Sequence, residues 1–312
     1  MTTLTLCIPA YNAAAYLPTL LIAAKSQKIP FDEILVYDDC STDDTASIVN
    51  NFGVTLIRGD VNKGCSTGKN TLASVAKSEW LHFHDADDLI LPNFTEVAHR
   101  WIKKEDAPDI VLLHYQYQNF INGESLGEPD YNTNAMHEDT IKFSIENKLV
   151  NFALIKKTAF IKIGGFDTDP SVLYNEDRAF YTRAAFAGLS FDYEKENTCI
   201  NYYHPNSMSA GNISKCAVAT TNVWKKVIEK AHGKYNKEIA AQLLQNANYA
   251  ATGLAWPSVR ESIKIARGLH KAQLPAGSGY FKLLYKILPF NSFYMREKLF
   301  RMFTDKRKRS KK

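Results

Sequence analysis

Short apolar runs alternate with polar loops and helical periodicity through the first part of the chain. Four runs predict β-strands at residues 3–9, 32–37, 54–58 and 80–83. Apolar positions between these runs recur at helical spacing. The repeated order of strand, polar loop and helix predicts an α/β fold with a mostly parallel central sheet flanked by helices.

The pattern becomes less regular after residue 92. Helices are predicted at residues 94–104 and 178–187. Strands are predicted at residues 109–117, 191–193 and 199–203. From about residue 215 the chain is alanine-rich and helical. We therefore expect an α/β domain at residues 1–211 and a helical C-terminal region at residues 212–312. The domain would have a first half of about 1–92 and a second half of about 93–211.

Polar loops follow the predicted strands of the first half. Ligands of parallel sheets collect outside the carboxyl ends of the strands, so these loops are expected on one rim. The loops are Pro9–Asn12, Asp38–Asp44, Asn62–Asn70 and Asp85–Asp88.

The loop Asp85-Ala86-Asp87-Asp88 places three carboxylates within four positions. Like charges this close are costly without a cation, and a hard divalent ion carrying phosphate oxygens suits them. On its own, the motif is equally typical of a solvated acidic loop or a helix N-cap. Neither a dinucleotide fingerprint nor a P-loop follows the first strand, so a metal is expected to mediate phosphate binding.

Two other residues of the rim are candidates for donor binding. Asp39, with Asp38 as the competing choice, is placed to accept from a base N–H or a ribose hydroxyl. Lys69 is expected to neutralise phosphate, and Asn70 to orient its loop.

These motifs occur in a characteristic order along residues 2 to 210. They are Pro9-Ala10-Tyr11-Asn12, Asp38-Asp39-Cys40-Ser41, Asn62-x-Gly64, Lys69-Asn70, Asp85-Ala86-Asp87-Asp88, Gly164-Gly165-Phe166-Asp167 and Glu176-Asp177. Together they resemble the family 2 glycosyltransferases, which have the GT-A (Rossmann-like) fold. Cys40 is a departure, because glycine or a small polar residue is more usual there.

The resemblance implies transfer of a hexosyl or N-acetylhexosaminyl group from a nucleotide-sugar donor. UDP is the expected nucleotide of this donor. It implies Mn²⁺ or Mg²⁺ as cofactor and inversion at the anomeric carbon. Asp177 matches the general base, with Glu176 as its rival, and Asp87 and His204 match metal-binding positions. Alternatively, His204 satisfies a hydrogen bond in the core. The positions matching donor contacts are Pro9, Tyr11, Asn12, Asp39, Asn62, Lys69, Asp85, Ala86 and Glu176.

Composition limits the class of protein. The 312 residues are 45% hydrophobic with a net charge of +5, and the mean hydropathy is −0.28. Five scattered cysteines indicate neither a zinc site nor a disulfide framework, so a cytoplasmic setting is expected. The sequence shows neither a signal peptide nor a spanning apolar run.

The C-terminal region suggests a second partner. An amphipathic stretch at residues 279–303 precedes a basic tail at residues 304–312, whose last seven residues carry six positive charges. Tyr280, Phe281, Leu284, Ile287 and Leu288 are predicted to form one apolar face. This pattern predicts peripheral attachment to an anionic membrane surface. The alternative is a helix packed on the catalytic domain with a disordered tail. No second basic patch supports nucleic-acid binding.

We therefore expect a glycan or glycolipid acceptor in bacterial surface polysaccharide or lipo(oligo)saccharide synthesis, at the inner face of the membrane. Three other classes remain open. A nucleotidyltransferase would carry a glycine-rich basic signature after the first strand, and this chain lacks one. A non-catalytic nucleotide-sugar-binding protein would tolerate loss of Asp177. A membrane-surface scaffold would tolerate loss of Asp87.

Overall fold

The computed structural model describes residues 2–204, 207–208 and 211–309, with side chains to residue 304. The chain divides into two compact units. Residues 1–168 and 176–205 form the first, and residues 169–175 and 206–312 form the second. Most of the predicted basic tail lies outside the side chains described.

A parallel four-stranded segment forms one half of the sheet in the first unit. Its spatial order is β3-β2-β1-β4. These strands are β1 Leu4–Ala10, β2 Glu33–Asp38, β3 Thr55–Arg58 and β4 Trp80–Phe83. The four strands predicted from the apolar runs are confirmed, and their carboxyl ends meet at the same edge.

The remaining strands make the sheet mixed. They continue from β4 in the order β8-β6-β9-β5, with β7 pairing on β6. β8 is antiparallel to β4 and β6, whereas β6 and β9 are parallel. The bounds are β5 Leu89–Ile90, β6 Ile110–Asn119, β7 Ser125–Gly127, β8 Ala153–Lys156 and β9 Phe191–Tyr203.

Helices cover both faces of this sheet, so its central strands are buried on both sides. Leu4, Leu6 and Ile8 of β1 pack into one apolar core, whereas Cys7 packs into the other. This explains why β1 is continuously apolar rather than alternating. The helices are α1 Leu17–Lys25, α2 Thr45–Asn51, α3 Cys65–Val75, α4 Phe94–Ile102, α5 Thr133–Glu138, α6 Thr140–Glu146, α7 Lys157–Lys162 and α8 Glu176–Phe186.

The predicted start of α3 is wrong. Residues 62–70 were expected to be a loop, but the helix begins at Cys65. Gly64 adopts φ 86° at the N-cap, a backbone conformation that favours glycine. Inside the helix, a Cβ at Gly68 would lie 2.8 Å from the Tyr37 ring. Glycine therefore permits α3 to lie close to the sheet, and Lys69 and Asn70 belong to a helix.

The two strands predicted at residues 191–193 and 199–203 are one strand, β9. Its polar middle segment continues to pair with β6 across register shifts at Leu113, His114 and Tyr115. Polar side chains interrupt the apolar pattern of the sequence here, but the backbone pairing continues. These side chains are exposed or half-buried along the bulged part of the ladder.

The second unit is helical around a core that includes Trp224 and Phe293. Its helices are α9 Ile213–Ala231, α10 Asn236–Thr252, α11 Trp256–Leu269, α12 Gly279–Ile287 and α13 Pro289–Arg309. The short segment 169–175 joins this unit. The Asn222 side-chain amide donates to the Ser171 carbonyl at 3.0 Å, and Lys226 pairs with Asp169 at 2.8 Å.

The single apolar face predicted for the amphipathic stretch is divided in the structure. Phe281 is 5% exposed, and its ring packs edge-on against Phe293 with centroids 5.2 Å apart. The reason is that α13 returns at Pro289 and covers one side of α12. Tyr280, Leu283 and Ile287 occupy another side and remain exposed.

Candidate active site

The two acids of the Glu176-Asp177 motif open α8. Both lie in its first turn, where the helix dipole favours carboxylates. Glu176 is buried, whereas the side chain of Asp177 is 24% exposed. This position leaves Asp177 accessible at the edge of the sheet where the β4 loop also lies.

Lys69 of α3 brings carboxylates from separate segments together. Its Nζ lies 3.5 Å from Asp177 Oδ1 and 3.6 Å from Asp85 Oδ1. Glu176 Oε1 is 3.9 Å away. Burial alone would lower the pKa of Lys69, but Asp177 and Asp85 raise it well above its ordinary value. Lys69 is therefore a buried cation that neutralises part of an acidic cluster.

The proton affinity of Asp177 suits a base that works near neutral pH. Burial is the main cause that raises its pKa to about 7; the Lys69 ammonium opposes this rise, and the Glu176 and Asp85 carboxylates contribute to it. A general base is most effective when its pKa lies near the operating pH. The predicted base thus has suitable chemistry, although its role remains a prediction.

Asp88 holds the acidic loop against β9. Its carboxylate accepts from the Tyr202 backbone N–H at 2.7 Å and from the Asn201 side-chain amide at 3.1 Å. Its contacts bring the loop beside His204, whose Nε2 is 3.3 Å from the Asp87 carbonyl oxygen.

The carboxylate and imidazole groups around Asp87 are of the type that binds a divalent cation. Burial, followed by the Asp85 carboxylate, raises the pKa of Asp87, whereas a backbone hydrogen bond and His204 oppose the rise. Mg²⁺ and related ions bind proteins through one or two carboxylates and take substrate phosphates as further ligands. Asp87 and His204 would hold such an ion, with Asp85 beside them. The pairing of His204 with Tyr16 and Phe120 rings also fixes its orientation.

Asp38 and Asp39, the two candidates for contacting the base or ribose, have different partners in the structure. Asp38 is buried and pairs with Arg58 at 3.2 Å. Asp39 accepts from the backbone N–H groups of Lys63 and Gly64 at 2.9 and 2.7 Å. A carboxylate oxygen can accept more than one hydrogen bond, so Asp39 retains capacity for a base or ribose while it fixes the turn into α3.

The first loop is joined to the β2 loop through Asn12. Its backbone N–H donates to Ser41 Oγ, and its Oδ1 accepts from the Thr42 N–H, each at 2.9 Å. Asn12 has φ 49° and Cys40 has φ 63°. The left-handed backbone at Cys40 gives a physical reason why glycine is more usual at that position.

The other predicted donor contacts lie around the same edge. Pro9 is the second-last residue of β1, which is buried throughout, and Gly68 lies close to its ring. Tyr11 and Asn62 are exposed, whereas Ala86 is buried. The structure thus places these residues on the rim without testing their contacts to a donor.

Two residues of the site were missed from the sequence. The Cys65 thiol donates to Glu176 Oε1 at 3.0 Å. The Asn151 amide lies 3.4 Å from Asp85 Oδ1. Cys65 precedes Lys69 by one helical turn, which is a usable signal once α3 is known. Asn151 is too distant in sequence for any local signal.

A separate buried cluster lies beneath the acidic loop. Among the described residues, His82, His84 and Cys199 are the group whose donor atoms come within 4.8 Å of one another. His82 Nε2 and His84 Nδ1 are already 3.0 Å apart in a hydrogen bond, and Phe94 and Phe152 pack against the pair. We assign this cluster to the core.

Solved structures of other proteins share the fold of this chain. A Pyrobaculum calidifontis mannosyltransferase in complex with GDP-Man and Mn²⁺ is 18% identical, with TM-score 0.59, covering 95% of this chain and 84% of that chain. S. aureus TarS 1-349 with UDP-GlcNAc is 16% identical, with TM-score 0.56, covering 87% of this chain and 91% of that chain. The predicted GT-A fold is confirmed.

The sequence relationships then give the family. The family described as "Glycosyl transferase family 2" matches residues 5–164. An uncharacterised glycosyltransferase of Haemophilus influenzae is 29% identical over 168 residues, which are 53% of this chain and 56% of that protein. The chain belongs to the family 2 glycosyltransferases, as its motifs predicted.

A more fully covered relative comes from Escherichia coli. The protein named UDP-Glc:alpha-D-GlcNAc-diphosphoundecaprenol beta-1,3-glucosyltransferase WfaP is 26% identical over 238 residues, covering 74% of this chain and 89% of that protein.

In the part of the chain that the structure describes, we find no helix long and apolar enough to span a membrane.

Proposed function

We propose that this chain transfers a hexosyl or N-acetylhexosaminyl group from UDP to an acceptor hydroxyl, with inversion and with Mn²⁺ or Mg²⁺. The observation that carries the proposal is the approach of Asp177, Lys69 and Asp85 at the edge of the sheet. The loop after β4 carries both Asp85 and Asp87. The proposed phosphate site and the proposed base therefore belong to one cluster.

In the proposed reaction, Asp177 removes the acceptor proton as the acceptor oxygen attacks the anomeric carbon. The bond from that carbon to the diphosphate breaks as the new glycosidic bond forms, so its configuration inverts. Asp87 and His204 would hold the cation, which would supply charge stabilisation to the leaving diphosphate. Asp39 and the Asn12 loop orient the nucleotide.

A donor panel tests this function. We expect one UDP-sugar to raise the Tm in the presence of Mn²⁺ because a ligand that binds only the folded state stabilises it. The same sugar should be hydrolysed slowly or transferred to a glycan or glycolipid acceptor. Saturable binding without either reaction would instead favour a non-catalytic nucleotide-sugar-binding protein.

We propose a glycolipid acceptor, used during bacterial surface-glycan synthesis at an anionic membrane. The name of the WfaP relative supports this, because it describes a diphosphoundecaprenol-linked substrate. The exposed side chains of the last two helices support it further. They include Tyr280, Leu283, Ile287, Met295, Leu299, Met302 and Phe303. The six positive charges that end the sequence complement anionic headgroups.

The membrane proposal predicts a specific loss of vesicle binding. Replacing Leu283, Ile287 and Leu299 by Asp should reduce flotation with phosphatidylglycerol vesicles by roughly tenfold or more, because it removes apolar contacts and adds repulsion. These side chains are exposed, so folding should persist. The matched control is Ile22→Asp, which changes an exposed apolar residue of α1. Equal flotation of the triple variant and the control would refute membrane attachment through these helices.

A further inference from the structure

Lys69 is placed differently from a phosphate-binding surface lysine. Its side chain is 1% exposed, and its ammonium faces the carboxylates of Asp85 and Asp177 with the Phe166 ring 4.9 Å away. A fully buried ammonium of this kind has exchanged water for protein carboxylates. It is therefore built into the site before any donor arrives.

The turn before α3 and the helix itself fix this ammonium. Asp39 holds the backbone of Gly64 at the start of the helix, and the absence of a side chain at Gly68 lets α3 lie against Tyr37 and Pro9. One helical turn before Lys69, Cys65 donates to Glu176. Two successive turns of one helix therefore contact both acids of the α8 motif.

We propose that Lys69 is a positioning residue for the base: its ammonium holds Asp177 Oδ1, so that Oδ2 is left to accept the proton of the acceptor hydroxyl. The same ammonium contacts Asp85 and thereby ties the base to the acidic loop that binds the donor. This inference rests on the proposed function and adds how the base is aimed and kept ionised.

The charges of the cluster explain why a cation is needed there. Asp85, Glu176 and Asp177 converge on Lys69, and like charges at this separation favour protonation of one member. Protonation of Asp177 would remove the base. Because an opposite charge within about 4–6 Å lowers a carboxyl pKa by about 1–3 units, Lys69 favours the ionised form required for proton abstraction.

The test compares Lys69→Gln with Lys69→Arg. Glutamine keeps a hydrogen-bond donor but loses the charge, whereas arginine keeps the charge. We expect Lys69→Gln to move the acidic limb of the kcat profile upward by about 1 pH unit or more, with a much smaller change in the KM for the donor. Lys69→Arg should retain the wild-type limb. Lys156→Gln is the matched control, because that half-buried lysine donates to the Ala107 carbonyl and no carboxylate.

A readout that does not need turnover separates this inference from the proposed function. In ¹³C-aspartate-labelled protein, the Asp177 carboxyl is identified by its loss in Asp177→Asn. Its titration midpoint is expected near pH 7 in the wild type. The midpoint should move upward in Lys69→Gln and match the wild type in Lys69→Arg and Lys156→Gln. This result would support Lys69 even if no acceptor reacts, in which case only the proposed function would fail.

Two results would overturn the inference. The first is an unchanged Asp177 titration in Lys69→Gln with its fold intact by circular dichroism. The second is a large rise in the Kd for UDP and Mn²⁺ in Lys69→Gln with the pH profile unmoved, which would assign Lys69 to phosphate binding. If Lys69→Gln does not fold, Lys69→Arg decides: a changed Asp177 midpoint in that charge-conserving variant would also contradict the inference.

Discussion

Asp177→Asn should lower kcat by about 100- to 10 000-fold, because asparagine cannot take the acceptor proton. The affinity for UDP with Mn²⁺ should change little, since Asp177 contacts Lys69 rather than the Asp87 loop. Single-turnover transfer and calorimetric titration of UDP measure the two effects separately. For the wild type, the pKa of about 7 predicts a kcat that rises with pH through neutrality and then levels off.

Glu176→Gln is the informative companion to that variant. Glu176 is buried and receives the Cys65 thiol, so its loss should disturb the cluster without removing the base. We expect a decline smaller than that of Asp177→Asn. If Asp177→Asn retained near-normal turnover and Glu176→Gln lost it, the two roles would be reversed.

Asp87→Ala should remove metal-dependent donor binding. We expect the affinity for UDP in Mn²⁺ to fall by at least about 100-fold, since the loss of even the outer partners of metal ligands typically costs about 10- to 100-fold. UDP affinity in EDTA should be nearly the same for variant and wild type. Calorimetry with and without Mn²⁺ measures both values.

Asp44→Ala is the control for the Asp87 variant. Asp44 is an exposed carboxylate at the start of α2, on the loop that follows β2. The substitution therefore removes a negative charge from the rim without changing the acidic loop. Its Mn²⁺-dependent affinity should match the wild type. Equal affinities of Asp87→Ala and wild type in Mn²⁺ would refute the metal site.

The sequence was most informative where burial is extreme. β1 and β4 are buried throughout, so their apolar runs marked both the strands and the loops that follow them. Because parallel strands end at a shared edge, the loops after these strands predicted the rim that carries Asp39 and Asp87, whereas Asp177 was identified only through the family resemblance. The resemblance to a family supplied the roles that chemistry alone left open.

The failures came from interactions that local sequence does not encode. Gly64 and Gly68 looked like loop residues, yet one caps α3 and the other permits its close packing. Nothing in the local sequence shows that Lys69 is buried and hydrogen-bonded to Asp177, which lies 108 positions later. Phe281 looked like part of a lipid-facing surface until α13 covered it. In each case a distant segment decided the environment.

The stereochemistry of the first product tests the central proposal most directly. The measurement is a proton NMR spectrum, recorded early in the reaction with the α-linked UDP-sugar that the donor panel selects. The anomeric coupling should be that of a β-linked product in the wild type, and no such signal should accumulate in Asp177→Asn. An α-linked first product, or a β-linked product formed equally fast by Asp177→Asn, would contradict direct displacement assisted by Asp177.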